Sequence, residues 1–256
     1  MVEELDYDEW DKIAQLFAPH ILANSLIFPC MKKGLGSVFV DNTDSPSVAM
    51  YSTPLMVFVA GDANSLTAKE MTQSVQPYVL FMTYENDWKV LLKQEWGNDL
   101  VTDIRTHMDH STLNIQHLRE LKSRLGPEYT LKRLDLQAAI QIKNDYSIPV
   151  RLYFGSIKNL VEKGIGFCVM QGDKVVSLAY TPFPFIDEFE IQVFTEDSLD
   201  YRRKGLATIA SAALLEYALE RKLTPNWDAA NENSIKLALK LGYSNPKTWE
   251  AYYRKE

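Results

Sequence analysis

Cysteine is scarce in this chain of 256 residues: there are two, Cys30 and Cys168, far apart and each in an apolar setting. That argues against a disulfide framework and against thiolate metal ligation, which need several cysteines at set spacings, and predicts reduced, buried thiols. No apolar run approaches the length of about 18 residues that a membrane helix needs, so neither a span nor a membrane partner is expected. Positive charge is in deficit, with 27 Lys and Arg against 34 Asp and Glu for a net charge of −7. Nucleic-acid binders carry the opposite balance, so no DNA or RNA partner is expected, although a local basic patch can still serve an anionic small molecule. Neither a 20–50-residue repeat nor a low-complexity tract is present. A Walker loop is absent, and "GLGSVF" and "GIGFCV" each lack the third glycine of a dinucleotide fingerprint. The opening "MVEELDYDEWDKIAQLF" is acidic and helical in period, unlike a signal peptide, which sets the expectation of a cytoplasmic protein.

What is present is the composition of an ordinary globular protein, 46% hydrophobic and 24% charged, long enough for two domains. Trp10, Ile13, Leu16 and Phe17 recur at helical spacing over residues 7–20. Strand-like stretches follow in "GLGSVFVDN" and "SVAMYSTPLMVFVAG", the second interrupted at Pro54, which cannot sit inside a central ladder. "SLTAKEMTQSV" reads as a capped helix, "YVLFMTY" as a strand and "ENDWKVLLKQEWG" as a helix stopped at Gly97; residues 98–124 are mixed and end in a helix. Gly126-Pro127 is the best boundary signal, which divides the chain into an N-terminal α/β domain, 1–126, and a second domain, 127–256. Beyond it the order is strand, two helices from "LQAAIQIKN" and 152–163, a hairpin turning at Gly172-Asp173, and the strand "EFEIQVFT". The helix 205–222, the strand "LTPNWDAA", the helix "ENSIKLALKLG" and the strand "TWEAYYRK" complete an α/β (α+β) mixed sheet.

The informative stretch is "YRRKGLAT", which brings Arg202, Arg203, Lys204 and Gly205 to the start of a helix whose apolar face holds Leu206, Ala210, Ala213, Leu214 and Tyr217. The first turn of a helix leaves its N–H groups unpaired at the positive end of the macrodipole, and a glycine there admits a ligand to the backbone. Cations are unfavourable at that end unless an anion joins them. From these residues alone, a phosphate cradle and an ordinary solvated helix start stand about level.

A second segment, "WDAANENSIKLALKLGY", breaks the tie. Arg202-x-x-Gly205-x-Ala207, followed by Asn231, Ser234 and Leu241-Gly242-Tyr243, resembles the paired motifs of the GNAT superfamily of acyl-CoA-dependent N-acyltransferases. "GLAT" with "PNWDAANENS" is similar to the zwittermicin-resistance type of GNAT protein, and the likeness covers about the C-terminal half. The resemblance implies a GNAT fold there, preceded by a smaller α/β domain in which Gly36 to Gly97 read as a degenerate GNAT-like copy lacking the basic loop and its cofactor.

It further implies that acetyl-CoA, or another short acyl-CoA, lays its pyrophosphate on the backbone of Arg203, Lys204, Gly205, Leu206, Ala207 and Thr208, with Arg202 shaping the loop. The pantetheine arm would follow the strand at Val193, Phe194 and Thr195, with Asn231 and Ser234 of the second motif beside it. A small-molecule primary amine would attack the thioester directly, which calls for a base. Glu190 is the candidate, alternating with Ile191 and Val193, and Gln192 on the same face is the candidate for positioning the amine. The bland reading, in which Glu190 is a solvent-side strand residue, stands beside this one. The tyrosine that often serves as general acid falls at Ala238, so Tyr180, Tyr252 or solvent is left for that role, with Tyr243 read as core. The loop "TEDSLDYRRKG" is about two residues longer than the zwittermicin-resistance pattern, and it sets Glu196 and Asp197 near the phosphate site. These departures keep a second hypothesis alive, a non-catalytic acyl-CoA-binding or interaction module.

His107, Asp109 and His110 in "HMDH" read as polar surface between the domains in preference to a metal site, and no metal is expected. Trp88, Trp96 and the scattered Met50, Met56, Met71 and Met82 read as packing. Acceptor pockets in the superfamily are built from variable segments, so the sequence names neither the amine nor the oligomeric state.

Overall fold

The computed structural model describes residues 1–142 and 144–256, which form two compact units: Met1–Arg105 with Thr248–Glu256, and Thr106–Lys247. Gly126-Pro127 therefore lies within the second unit, in the turn before its first strand, and the observed division falls elsewhere than at that pair.

In the first unit, β1 (Glu3–Leu5) leads through α1 (Ala14–Phe17) and α2 (Phe28–Lys32) to β2 (Ser37–Val40), β3 (Val48–Ser52) and β4 (Met56–Gly61). Then come α3 (Leu66–Ser74), β5 (Leu80–Met82), α4 (Asn86–Trp96) and β6 (Leu100–Asp109). The first predicted helix is 3-10 over Tyr7–Ile13 and α-helical only from Ala14, with Trp10, Ile13 and Phe17 buried. Pro54 sits in the turn of a β3–β4 hairpin, where no ladder bond is lost. β1 to β4 pair antiparallel in chain order, and β4 pairs parallel with β5 over Met56–Phe58. Trp88, Trp96, Met50 and Met71 all belong to the buried core between this sheet and α3 and α4.

In the second unit, α5 (Ile115–Lys122), β7 (Thr130–Arg133), α6 (Leu136–Ala139), α7 (Asn144–Phe154) and α8 (Ile157–Lys163) precede β8 (Gly166–Gln171) and β9 (Lys174–Tyr180). They are followed by β10 (Glu188–Phe189), β11 (Gln192–Thr195), α9 (Leu206–Glu220), β12 (Thr224–Pro225), β13 (Trp227–Ala229), α10 (Glu232–Leu241) and β14 (Ser244–Arg254). The predicted hairpin is β8–β9, turning through Gly172 at φ 57°. β7, β8, β9 and β11 pair antiparallel in that order, and β10 pairs parallel with β12.

With β10 and β11 taken as one interrupted strand, and β12 and β13 as another, the two units repeat one plan: three antiparallel strands, a fourth whose first part pairs parallel with a fifth, and helices after the fourth and fifth. Each closing strand is exchanged. The tail of β14 pairs with β5 in the first unit, and the end of β6 pairs with β13 in the second.

Helix α9 departs from the expected one-sided amphipathic pattern, because nearly its whole circumference is buried. α5 covers the side on which Glu216 lies, and the carboxylate is matched there by Arg119 (Nε to Oε1, 2.7 Å) and by Lys122. Burial alone would raise the Glu216 pKa, but these two cations outweigh it and hold the group below its ordinary range. Both cysteines are buried and free, and burial pushes their thiols up, Cys30 to about 12 and Cys168 to about 11.

A buried histidine that the sequence did not single out carries a stability consequence. His20, 3% exposed, stands edge-on to Phe58, Tyr84 and Trp249, and its Nδ1 accepts the Leu22 N–H at 3.1 Å. Burial lowers its pKa from 6.5 to about 4. The neutral ring's contribution is therefore complete above pH 6.5 and is lost as pH falls from 6.5 towards 4. The full loss amounts to about 3 kcal/mol on the scale of 1.36 kcal/mol per unit. Denaturant midpoints for His20→Asn, which keeps an acceptor near Leu22, should show a flatter decline across that window than wild type. Equal slopes would mean the ring does not titrate with folding.

Candidate functional site

The predicted strand "EFEIQVFT" is two strands, and the break between them makes the site. Up to Phe189 the chain is paired with β12, the last rung being Asn226 N–H to Phe189 C=O at 2.8 Å. Beyond it β13 turns to pair with β6, while β11 stays with β9 alone. Among the described residues no strand pairs with the other edge of β11. Glu196 N–H donates to Val176 C=O in the β9 ladder, and bonded pairs alternate along antiparallel strands. Val193 and Thr195 consequently turn their backbone groups into the opening, while Phe194 faces β9. The Thr195 hydroxyl is tied to Ser177 Oγ at 2.8 Å, which orients the strand end.

The opening runs toward the N-terminus of α9. Gly205 is its cap, at φ 77° in the left-handed region, with no side-chain cap. Arg203 is left-handed too, at φ 60°. Alternating conformations of this kind turn successive N–H groups the same way into an anion nest, and the helix macrodipole adds to the field. Among the described residues, none of the N–H groups from Arg203 to Thr208 donates to a backbone carbonyl; the first rung of the helix is Ile209 N–H to Gly205 C=O. A Cβ built on Gly205 meets nothing within 4 Å, so the cradle is open at that point. Leu206 and Thr208 anchor the turn in the core, with Ala207 half-buried.

The cations divide. Arg202 pairs with Asp197, and Lys174 Nζ lies 4.0 Å from Glu196, so the two acids that the longer loop brings in each have a cation of their own. Arg203 forms no ion pair among the described residues, and Lys204 reaches Tyr129 Oη at 3.5 Å.

The second motif has a structural use. Asn231 caps α10 by accepting Ser234 N–H at 3.0 Å, and Ser234 Oγ accepts the Trp227 indole N–H at 3.0 Å. Gly242 ends the helix in the left-handed conformation, and Tyr243 is core, donating its hydroxyl to Pro225 C=O at 2.8 Å. Burial, and then the charge of Glu190, raise the Tyr243 pKa well above 10.

Glu190 is not a solvent-side residue: it is 8% exposed. Phe189, Ile191 and Val193 pack with α9, whereas Phe194 packs with the core under α6, α7 and α8. Alternation sets Glu190 and Gln192 on the α6–α8 side. Tyr180 stands opposite Gln192 in the β9–β11 register and packs in the same core. Tyr252 belongs to the first unit, where its hydroxyl is committed to Glu250 Oε2 at 2.5 Å.

Sequence reading missed Asn226, whose Nδ2 donates to Glu188 Oε2 at 3.2 Å and braces that strand pair. It also took "HMDH" for one turn of surface, whereas His107 lies on β6, directly opposite Asp228 of β13. Among the described residues no group of three or more His, Cys, Asp or Glu is disposed to hold a metal ion, and no helix is long and apolar enough to cross a membrane.

The corresponding place in the first unit is filled by the chain itself. Beyond Phe58, where β4 leaves β5, Gly61 N–H donates to Glu85 Oε2 at 3.0 Å and Gly61 C=O accepts the Trp88 indole N–H at 3.0 Å. The start of α3 is capped by Ser65, which accepts Ala68 N–H at 3.1 Å, with no basic glycine loop before it.

Comparison with known proteins bears on the fold and the family. A curated relative, the uncharacterized N-acetyltransferase YdfB of Bacillus subtilis strain 168, is 26% identical over 229 residues, 85% of each chain. A GCN5-related N-acetyltransferase-like protein from Streptococcus suis superposes with a TM-score of 0.79 at 25% identity, covering 96% of this chain and 98% of its own. A tandem GNAT protein from the clavulanic acid biosynthesis pathway shares the fold at 10% identity, with a TM-score of 0.57 over 100% of this chain and 99% of its own. The sequence model of the GNAT acetyltransferase family matches residues 14–252, both units together, and the chain belongs to that family.

Proposed function

We propose that the protein transfers an acetyl group from acetyl-CoA directly to a primary amine of a small molecule, with chemistry confined to the second unit. The observation that carries the reading is the unpaired edge of Val193 and Thr195 leading to the nest from Arg203 to Thr208. An extended arm can bond to such an edge as an added strand would, and a pyrophosphate suits converging N–H groups at a helix N-terminus. A Cβ at Gly205 would meet nothing within 4 Å, which leaves the same ligand room to approach the backbone. Acetyl-CoA supplies the activated acyl group; Arg203 and Lys204 add positive charge around its phosphates, and Arg202 braces the loop through Asp197.

Glu190 acts as base toward the amine and Gln192 helps to position it, both on the face opposite α9. Tyr180 is the favoured general acid for the departing thiolate, because it stands opposite Gln192, whereas Tyr252 belongs to the first unit. The favoured acceptor is a cationic amine, in keeping with the acidic net charge.

The test is thiol release from acetyl-CoA and other short acyl-CoAs against a panel of butylamine, lysine, spermidine and an aminoglycoside, with CoA binding measured by calorimetry. Amine-dependent thiol release is the expected result. CoA binding with no turnover on any amine would give the chain the role of a binding module instead.

A further inference from the structure

The polar face on which Glu190 lies extends across the second unit's sheet. Phe189, Trp227, Ala229 and Met108 all belong to the core beneath α9, so the residues alternating with them face the other way. Those residues are Glu190 on the strand before the break, Asn226 and Asp228 on the next segment, and His107 on β6. Asp228 and His107 are direct partners in the β13–β6 register. Glu190 is the deeply buried end of this row, whereas Asp228 and His107 are only partly buried. His107 Nδ1 is shielded from solvent and has no hydrogen-bond partner among the described residues.

We propose that His107, held by Asp228, is the group that receives the proton shed by the acceptor amine and passes it to solvent. The proposal rests on the transferase reading above. An alkylammonium must lose a proton before its nitrogen can attack the thioester carbonyl. The proton goes from the ammonium to Glu190, then through water to the neutral imidazole, and finally from the imidazolium to bulk solvent. The C–N bond forms as the C–S bond breaks; Tyr180 protonates the departing thiolate, and the second proton that the nitrogen sheds as the amide forms restores Tyr180, so one proton in all leaves through His107. No oxidant, reductant or further reactant is needed.

The charges around His107 suit the task. Burial lowers its pKa, as do His110 and Lys247, so the ring is neutral and ready to accept at pH 7. Asp228 and Asp109 pull the other way and favour the imidazolium once it forms. Asp109 is itself bonded to Ser111 N–H (2.8 Å) and Asn245 Nδ2 (3.2 Å), which leaves Asp228 as the acid directly across from the ring. Histidine is the side chain whose ordinary pKa allows both uptake and release of a proton near neutrality.

The experiment is the pH dependence of kcat for acetyl transfer to the amine panel, in wild type, His107→Gln, His107→Ala and Asp228→Asn, with thermal midpoints recorded for each. His107→Gln is expected to lower kcat about 10–100-fold, at the modest end of general-base effects, and to change the acidic limb. Asp228→Asn should move that limb to lower pH, since it removes a charge that raises the His107 pKa. Imidazole in the buffer should restore part of the His107→Ala rate, which a purely structural role would not allow. An unchanged kcat and limb in His107→Gln, in a protein whose wild type turns over, overturns the proposal and leaves the transferase reading intact. Absence of amine-dependent thiol release in wild type overturns both.

Discussion

Glu190→Gln is expected to lower kcat for acetyl transfer about 10²–10⁴-fold, the range of a lost general base, with acetyl-CoA affinity unchanged. The substitution keeps the size and planarity of the side chain but leaves an amide that cannot accept a proton from an ammonium. Glu190 is 8% exposed and sits directly after the last residue paired with β12, at the break that opens the sheet. The nest is built from other residues, on the loop after β11, which is why binding and rate should separate. Thiol-release kinetics beside calorimetric binding of CoA make the check. A kcat within threefold of wild type would move the base elsewhere and take Gln192's positioning role with it.

The parts legible in the sequence were those whose signal is local. Arg202, Gly205 and Ala207 lie within one helix start, and Asn231 and Ser234 within one cap, so each could be matched to the GNAT pattern over a few residues. The same locality explains why Asn231 had a plainer use than expected: an asparagine at that position satisfies the Ser234 N–H whatever else it touches. What escaped was set by pairing between distant segments. Nothing inside "EFEIQVFT" says that Phe189 pairs with Pro225 while Val193 pairs with Ala179, yet that divergence opens the site.

Residues 98–124 looked mixed because β6 alternates only weakly in burial. Its neighbours in the sheet, β13 along Thr106–Met108 and β14, both come more than a hundred residues later. The exchange of closing strands also explains why the compact units do not divide at Gly126-Pro127: it marks a turn before β7, but the boundary between units depends on where β6 and β14 find partners. The burial of Glu216 could not be read from its own helix, because its matching cations, Arg119 and Lys122, come from α5, nearly a hundred positions earlier. In the first unit, the filling of the β4 edge by Glu85 and Trp88 had no motif to announce it.

Gly205→Glu should abolish measurable CoA binding, a loss of about 100-fold or more in affinity, because like-charge contact in a binding site costs several kcal/mol. Two effects are combined in this substitution, and Gly205→Ala separates them. Any Cβ at φ 77° pays for the left-handed backbone, about 1–2 kcal/mol, and both variants should lose that much stability in denaturant titrations. The alanine methyl meets nothing within 4 Å in the free protein, so a binding defect in that variant cannot be ascribed to disturbed packing of α9. Alanine adds only a methyl group at the edge of the nest, whereas glutamate carries a carboxylate into the space reserved for phosphate. The glutamate variant should lose far more affinity than the alanine variant at matched stability. Added salt, which shortens the range of exposed charges, should narrow the difference between them. Equal affinities for wild type, alanine and glutamate would mean that the anion lies elsewhere, and the open edge of Val193 and Thr195 would then need another occupant.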